Sequence, residues 1–151
     1  KVLAPLMGFG GAAVPLVAGL EARYGDPPSF AIAVKLAAIA VMLAGYAFSS
    51  WALYENRFFS GVVRIQTDRG HHVIDSGPYR IVRHPGYSGG LLAWLPAPLL
   101  LESPWTWIPL AALVVIAVVR IVLEERALCE ELPGYREFTS RTRFRLVPGI
   151  W

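Results

Sequence analysis

Four long apolar runs dominate this chain, and they constrain what it can fold into more than any other feature. Val2 to Leu20 is apolar throughout, and Phe30 to Tyr54 follows after a short polar break. Gly86 to Leu101, interrupted by Pro96 and Pro98, and then Trp105 to Leu123 complete the set. At 1.5 Å per residue the first run makes a helix of roughly 28 Å, close to the hydrocarbon thickness of a bilayer. The composition agrees. Hydrophobic residues make up 55% of the 151 and charged residues 17%, against about a quarter charged in soluble domains. The chain therefore reads as an integral membrane protein.

The connections give the orientation. Glu21 to Ser29 is a loop stopped by Asp26-Pro27-Pro28, and Glu102-Ser103-Pro104 makes a tight reversal. The stretch from Glu55 to Tyr87 holds Arg57, Arg64, Arg69, Arg80 and Arg83, and the tail after Arg120 is also arginine-rich. The positive-inside rule puts the long loop and the tail in the cytoplasm, and four spans then bring the N-terminus inside as well. A bacterial inner membrane suits so short a chain. The net charge of +3 suits an anionic leaflet. Arginines spread in this way do not form the long basic tract of a nucleic-acid binder. Gly8, Gly10, Gly11 and Gly19 permit close helix contact in the first span. Lys35 is placed to snorkel to the interface, where Trp51 and Tyr54 sit at the other end of the second span. The one cysteine, Cys129, has no internal disulfide partner.

One segment does not belong in lipid. Ser76 to Gly90 reads SGPYRIVRHPGYSGG, with two arginines, a histidine, two tyrosines and several helix breakers. Irregular backbone at membrane depth survives only when buried in protein or lining a cavity, so this segment is read as the wall of a polar pocket at the membrane–cytoplasm boundary. Pro85 pushes His84 out of the helical region, which places the histidine on a bend with its ring free to enter that pocket. At the end of the fourth run, Arg120 and Glu124 are four residues apart and share a helix face, with Glu125 about 100° round. An isolated pair of this kind is most often an interfacial ion pair. Two consecutive glutamates directly after a span favour instead the floor of a binding pocket. His71, His72 and His84 do not make a metal site, because no carboxylate or cysteine stands at a recurrent ligand spacing. No phosphate loop, nucleophile elbow or HExxH motif is present.

These residues resemble a known family. Gly77-Pro78-Tyr79-Arg80-Ile81-Val82-Arg83-His84-Pro85-Gly86-Tyr87-Ser88-Gly89 is similar to the GxYxxxRHPxYxG signature of the isoprenylcysteine carboxyl methyltransferases and their bacterial relatives. Arg120 to Glu125 resembles their second block, an arginine followed by paired glutamates. Gly134-Tyr135-Arg136-Glu137-Phe138, with Phe138 where tyrosine is commoner, and Arg145 to Trp151 resemble their C-terminal ending. The resemblance covers residues 66 to 151 and implies a membrane-embedded methyltransferase that uses S-adenosylmethionine and is not of Rossmann type. It implies an all-α membrane domain over 1–151, of about four transmembrane helices. Residues 1–54 form two N-terminal spans. Residues 55–151, with a helical hairpin and the tail, build a cytoplasm-facing cofactor pocket that opens laterally to a lipophilic acceptor. By position, Gln66, His71, Val73, Ile74, Tyr79, His84, Tyr87 and Glu124 line the cofactor site, with Glu125 as a neighbour, and Arg120 meets the acceptor's carboxylate. The expected acceptor is a prenylated C-terminal cysteine or a small lipophilic acid, thiol or lipid. A sterol-reductase-like enzyme binding NADPH, and a non-catalytic membrane scaffold, are the alternatives.

Overall fold

Small residues seven apart set the architecture. The computed structural model describes residues 3–60 and 67–151, and every regular element among them is helical. Helix α1 covers Leu3–Tyr24 and α2 covers Ile32–Glu55. After the long loop come α3 (Pro85–Trp94), a single turn α4 (Ala97–Leu100), α5 (Trp107–Glu131) and α6 (Tyr135–Arg141). Short 3-10 turns stand at Gly77–Arg80 and Pro104–Thr106. On α2 the buried residues are Ala38, Gly45 and Ala52, one stripe of the helix, and the neighbours of α2 are α3, α4 and the 3-10 turn at Gly77–Arg80. At the crossing of α2 and α3 the backbones nearly touch. A Cβ on Gly45 would stand 2.4 Å from the Ala93 amide nitrogen, and one on Gly89 would stand 2.4 Å from that of Ser49. Close backbone approach of this kind is how helices associate where lipid removes the hydrophobic drive between them.

The expectation of close contact at the glycines of the first run holds only in part. Gly10 and Gly11 meet Leu113 and Trp94, while Gly8 and Gly19 have nothing within 4 Å. Helix α1 instead lays Val14 and Ala18 on α5, whose buried residues Leu110, Leu113, Ala117 and Ile121 follow helical spacing. The third and fourth runs are neighbours in sequence, yet α3 packs chiefly on α2 and α5 chiefly on α1.

Ile32–Glu55 and Pro104–Glu131 are the two stretches of the described residues long and apolar enough to cross a membrane by length and composition. The third run is not one helix. It breaks at Leu95-Pro96 between α3 and α4, because proline removes a backbone donor and crowds the preceding turn. Phe9, Leu16, Ile32, Leu36, Val115 and Leu123 all point outward and are exposed. An apolar belt of this extent is untenable in water and fits a membrane protein.

Carboxylates fasten the end of the bundle away from the long loop. Glu102, in the left-handed region at φ 52°, pairs with Lys35 at 2.8 Å and accepts from the Phe30 amide at 2.9 Å and the Ser29 hydroxyl at 3.2 Å. Lys35, expected to snorkel, is thus tied to a loop. Glu21 accepts from the Ser103 hydroxyl and from the Trp105 amide.

Candidate functional site

The irregular segment before α3 is organised by its own turn residues. Gly77, at φ 53°, lets the chain turn tightly beside Glu55, and the 3-10 turn that follows buries Tyr79. The Tyr79 hydroxyl accepts a hydrogen bond from the Asn56 side-chain amide at 3.0 Å. Burial raises its pKa; the Asn56 bond opposes that, and the charges of Glu124 and Glu55 add to it. His84 is held out of the helical region as expected before proline, at φ −123° and ψ 59°, and α3 starts at Pro85.

The tail docks along this segment. The Arg83 and His84 amides donate to the Phe144 and Arg145 carbonyls at 2.9 and 3.0 Å. The Arg83 guanidinium donates to the Thr142 and Arg143 carbonyls at 2.8 and 2.7 Å. Its Nε meets Glu125 Oε1 at 2.5 Å, while Arg145 Nε meets Glu125 Oε2 at 2.6 Å and His84 Nε2 stands 3.3 Å from Oε1. Glu125 is only 6% exposed, and both of its oxygens are taken by this knot.

A cavity of about 130 Å³ lies between the segment, α5 and α6. Of the residues expected at the cofactor, His71, Val73, Ile74 and Tyr79 line it, and so do His84, Tyr87 and Glu124. His84 and Glu124, forty residues apart, therefore share one hollow. Gln66 lies outside the described residues. Glu125 stands behind the wall, where its partners hold it. Phe58, Arg83, Leu128, Leu132 and Tyr135 also line the hollow. Nothing in the sequence marks out Phe58, Leu128 or Leu132, whereas Arg83 belongs to the segment expected to wall the pocket and Tyr135 to the C-terminal ending. His71 lies against the Phe58 ring, with centroids 4.5 Å apart. Burial first, and then the charge of His72, lower the His71 pKa from 6.5, so its ring is neutral at neutral pH.

A second, more apolar cavity of about 670 Å³ opens between α1, α3 and α5. Met7, Gly11, Leu91, Trp94 and Leu113 line it, and Arg120 is its one charged residue among those described. Arg120 is 7% exposed, with its guanidinium 5.9 Å from the centre of the Tyr87 ring. The two cavities share Phe59, Gly86 and Tyr87. Tyr87 reaches both sides, since its hydroxyl donates to Glu124 at 2.9 Å while its ring lies under Arg120. A carboxylate and aromatic faces in one hollow suit a cationic, ring-bearing ligand. A buried arginine in a greasy one suits a lipophilic anion.

Comparison with known proteins points the same way. The model of the isoprenylcysteine carboxyl methyltransferase family matches residues 33–130. Two proteins named "Probable protein-S-isoprenylcysteine O-methyltransferase", from Oryza sativa subsp. indica and subsp. japonica, are each 42% identical over 48 residues. That is 32% of this chain, which spans about a quarter of the length of these relatives (25%).

Proposed function

The chain belongs to the isoprenylcysteine carboxyl methyltransferase family, and from that premise we propose that it transfers a methyl group from S-adenosylmethionine to a lipophilic carboxylate. The observation that carries this reading is the shared wall: two cavities of opposite chemistry meet at Phe59, Gly86 and Tyr87.

The smaller cavity suits the donor by its residues. Glu124 is matched to an amino group or ribose hydroxyls, and the faces of Tyr79 and Tyr87 to a sulfonium, each such contact worth roughly 0.5–2 kcal/mol. The neutral ring of His71 adds no opposing charge. At about 130 Å³ the hollow would enclose only part of such a molecule, and the exposed His72 and Glu131, which also line it, would face the remainder. Bound there, S-adenosylmethionine supplies an electrophilic methyl group, with the carbon–sulfur bonding pair leaving on a neutral thioether.

The larger cavity is assigned to the acceptor. Arg120 holds its carboxylate in two-point contact, and the apolar walls take its tail. A carboxylate is already a nucleophile, so the chain supplies no general base. Its contribution is to align the two reactants and exclude water. Glu125 acts at one remove, by fixing Arg83, His84 and the tail that form the wall. We place α1, α2, the α3–α4 pair and α5 in an inner membrane, with the 55–87 loop and the tail on the cytoplasmic side. A prenylated cysteine, the acceptor named for the rice relatives, and a small lipophilic acid are both within this chemistry.

The test is transfer of labelled methyl from S-adenosylmethionine to a panel of lipophilic acids, thiols and a prenylcysteine in nanodiscs. Esters of the acids are expected, and Arg120→Ala is expected to lose acceptor turnover while retaining the donor. Retention of NADPH in place of S-adenosylmethionine would overturn the reading.

A further inference from the structure

Tyr135 is the first residue of α6, and its position follows from the residue before it. Gly134 takes φ 83°, a left-handed conformation that a residue with a side chain adopts only under strain. That turn carries Tyr135 back under the end of α5, where its ring is 5% exposed. It packs with Ala52, Tyr79, Leu132 and Phe138, and against Val73 and Leu128. The hydroxyl is buried, has no hydrogen-bond partner among the described residues, and belongs to a side chain that lines the smaller cavity. A buried polar group left in this state costs about 1–3 kcal/mol, so it needs a reason. Burial, and then the charge of Glu125, push the phenol's pKa up; the group is a neutral donor and acceptor across the physiological range.

The chemistry of this corner narrows what it takes. Glu124 stands one turn and more nearer the middle of α5 than Leu128 and Leu132, and the Tyr135 ring packs among aliphatic and aromatic groups, with Arg83 and Glu131 also in the cavity lining. An ammonium, a carboxylate or a sugar would be desolvated there with one partner for many polar atoms. A flat, uncharged heteroaromatic ring is not penalised in this way. Its faces match apolar walls, and it offers polar atoms only in its plane. We propose that the Tyr135 hydroxyl donates a hydrogen bond to a ring nitrogen on the edge of the heterocyclic base of the methyl donor, and that this contact selects a purine nucleoside at the apolar end of the cavity. The proposal rests on the donor reading given above and adds the residue that recognises the base.

The experiment uses the full chain in nanodiscs and titrates S-adenosylhomocysteine and its 1-deaza, 3-deaza and 7-deaza analogues, each lacking one ring nitrogen. Tyr135→Phe keeps the ring and removes the oxygen. Its affinity for S-adenosylhomocysteine is expected to fall roughly 3- to 30-fold, while its ligand-free melting temperature stays level or rises because an unsatisfied buried group is gone. One deaza analogue is expected to bind the wild type as weakly as Tyr135→Phe binds the parent compound, and to bind both proteins alike. Equal affinity of Tyr135→Phe and wild type for S-adenosylhomocysteine overturns the proposal. So does a wild type indifferent to all three nitrogens, a measurement that does not require the variant to fold. A wild type with no affinity for S-adenosylhomocysteine overturns the donor reading itself, which keeps the two failures distinct.

Discussion

Each end of the helix bundle is tied by glutamate, and the two knots differ in what surrounds them. At the loop-rich end Glu125 is buried and binds Arg83, Arg145 and His84, joining α5, the segment before α3 and the tail. At the opposite end Glu102 binds Lys35, Ser29 and the Phe30 amide, joining the α1–α2 loop, α2 and the turn after α4. Both gather three pieces of chain. Water can replace the partners of Glu102. Around Glu125 it reaches Arg145, whose side chain is about a third exposed, but Arg83 and His84 are buried, so loss of the carboxylate there strands the Arg83 charge. The buried knot also stands directly behind the candidate donor cavity, and the exposed one touches neither cavity. The same residue type is thus structural support for a site in one place and a loop fastening in the other.

The comparison breaks most easily at Glu125. Glu125→Ala leaves Arg83 and Arg145 facing an empty position, and the expected loss is about 3–5 kcal/mol. Denaturant unfolding in detergent, read beside proteolysis of the 142–151 tail, measures it. If Glu102→Ala costs as much, burial is not what separates the two knots. A control comes next in size. Gly45 lies near the middle of α2, between the two ends, and its Cβ position is already filled by the Ala93 and Gly89 backbones. Gly45→Leu must push α3 away. Overpacking costs about 1–3 kcal/mol, and backbone atoms cannot yield as side chains can. This variant should loosen both ends alike, seen as matched rises in hydrogen exchange at residues 79–84 and 29–35.

The sharpest contrast is between neighbours. Glu124 is one residue from Glu125, lines the cavity and accepts a hydrogen bond from the Tyr87 hydroxyl. Glu124→Gln is expected to melt close to wild type and to bind S-adenosylhomocysteine roughly 10- to 100-fold more weakly, the scale of a hydrogen bond to a charged group. Glu125→Gln should do the reverse, with stability falling first. Calorimetry and melting on the same two preparations decide between them.

These neighbours also show what the sequence made legible. The paired glutamates, His84 on its bend and the tyrosines of the irregular segment could be read as one pocket, because proline, glycine and charge beside apolar runs leave few places for such a stretch. The all-helical fold followed from the runs themselves. The division of labour between Glu124 and Glu125 was not legible. It depends on Arg83 and Arg145 arriving from 42 and 20 residues away, and helix spacing alone gives both glutamates similar access. The Gly45–Gly89 crossing was hidden for a related reason. A glycine in a helix reads the same whether another backbone touches it or not, and Gly8 and Gly19, equally prominent in the sequence, touch nothing. The hydroxyl of Tyr135 was hidden because a tyrosine in a motif does not disclose whether its oxygen has a partner.

The exposed knot yields the smallest effect, and pH isolates it. Lys35 first, and then the Phe30 amide, hold the Glu102 carboxyl below its ordinary value of 4.5. A carboxyl whose folded pKa is depressed adds stability above its unfolded pKa, and that stability is lost as pH falls through the folded value. The difference in stability between wild type and Glu102→Gln is therefore expected to hold from neutral pH down to about 4.5, to decline below it, and to vanish once pH passes the lower folded value. Added salt should shrink the difference at neutral pH, because exposed pairs are screened. Donor affinity should not change across this series, since Glu102 lies at the far end from the cavity that holds Glu124. A parallel loss of donor affinity would mean that the two ends communicate through α2 and α5, and the separation drawn here between fastening and support would fail.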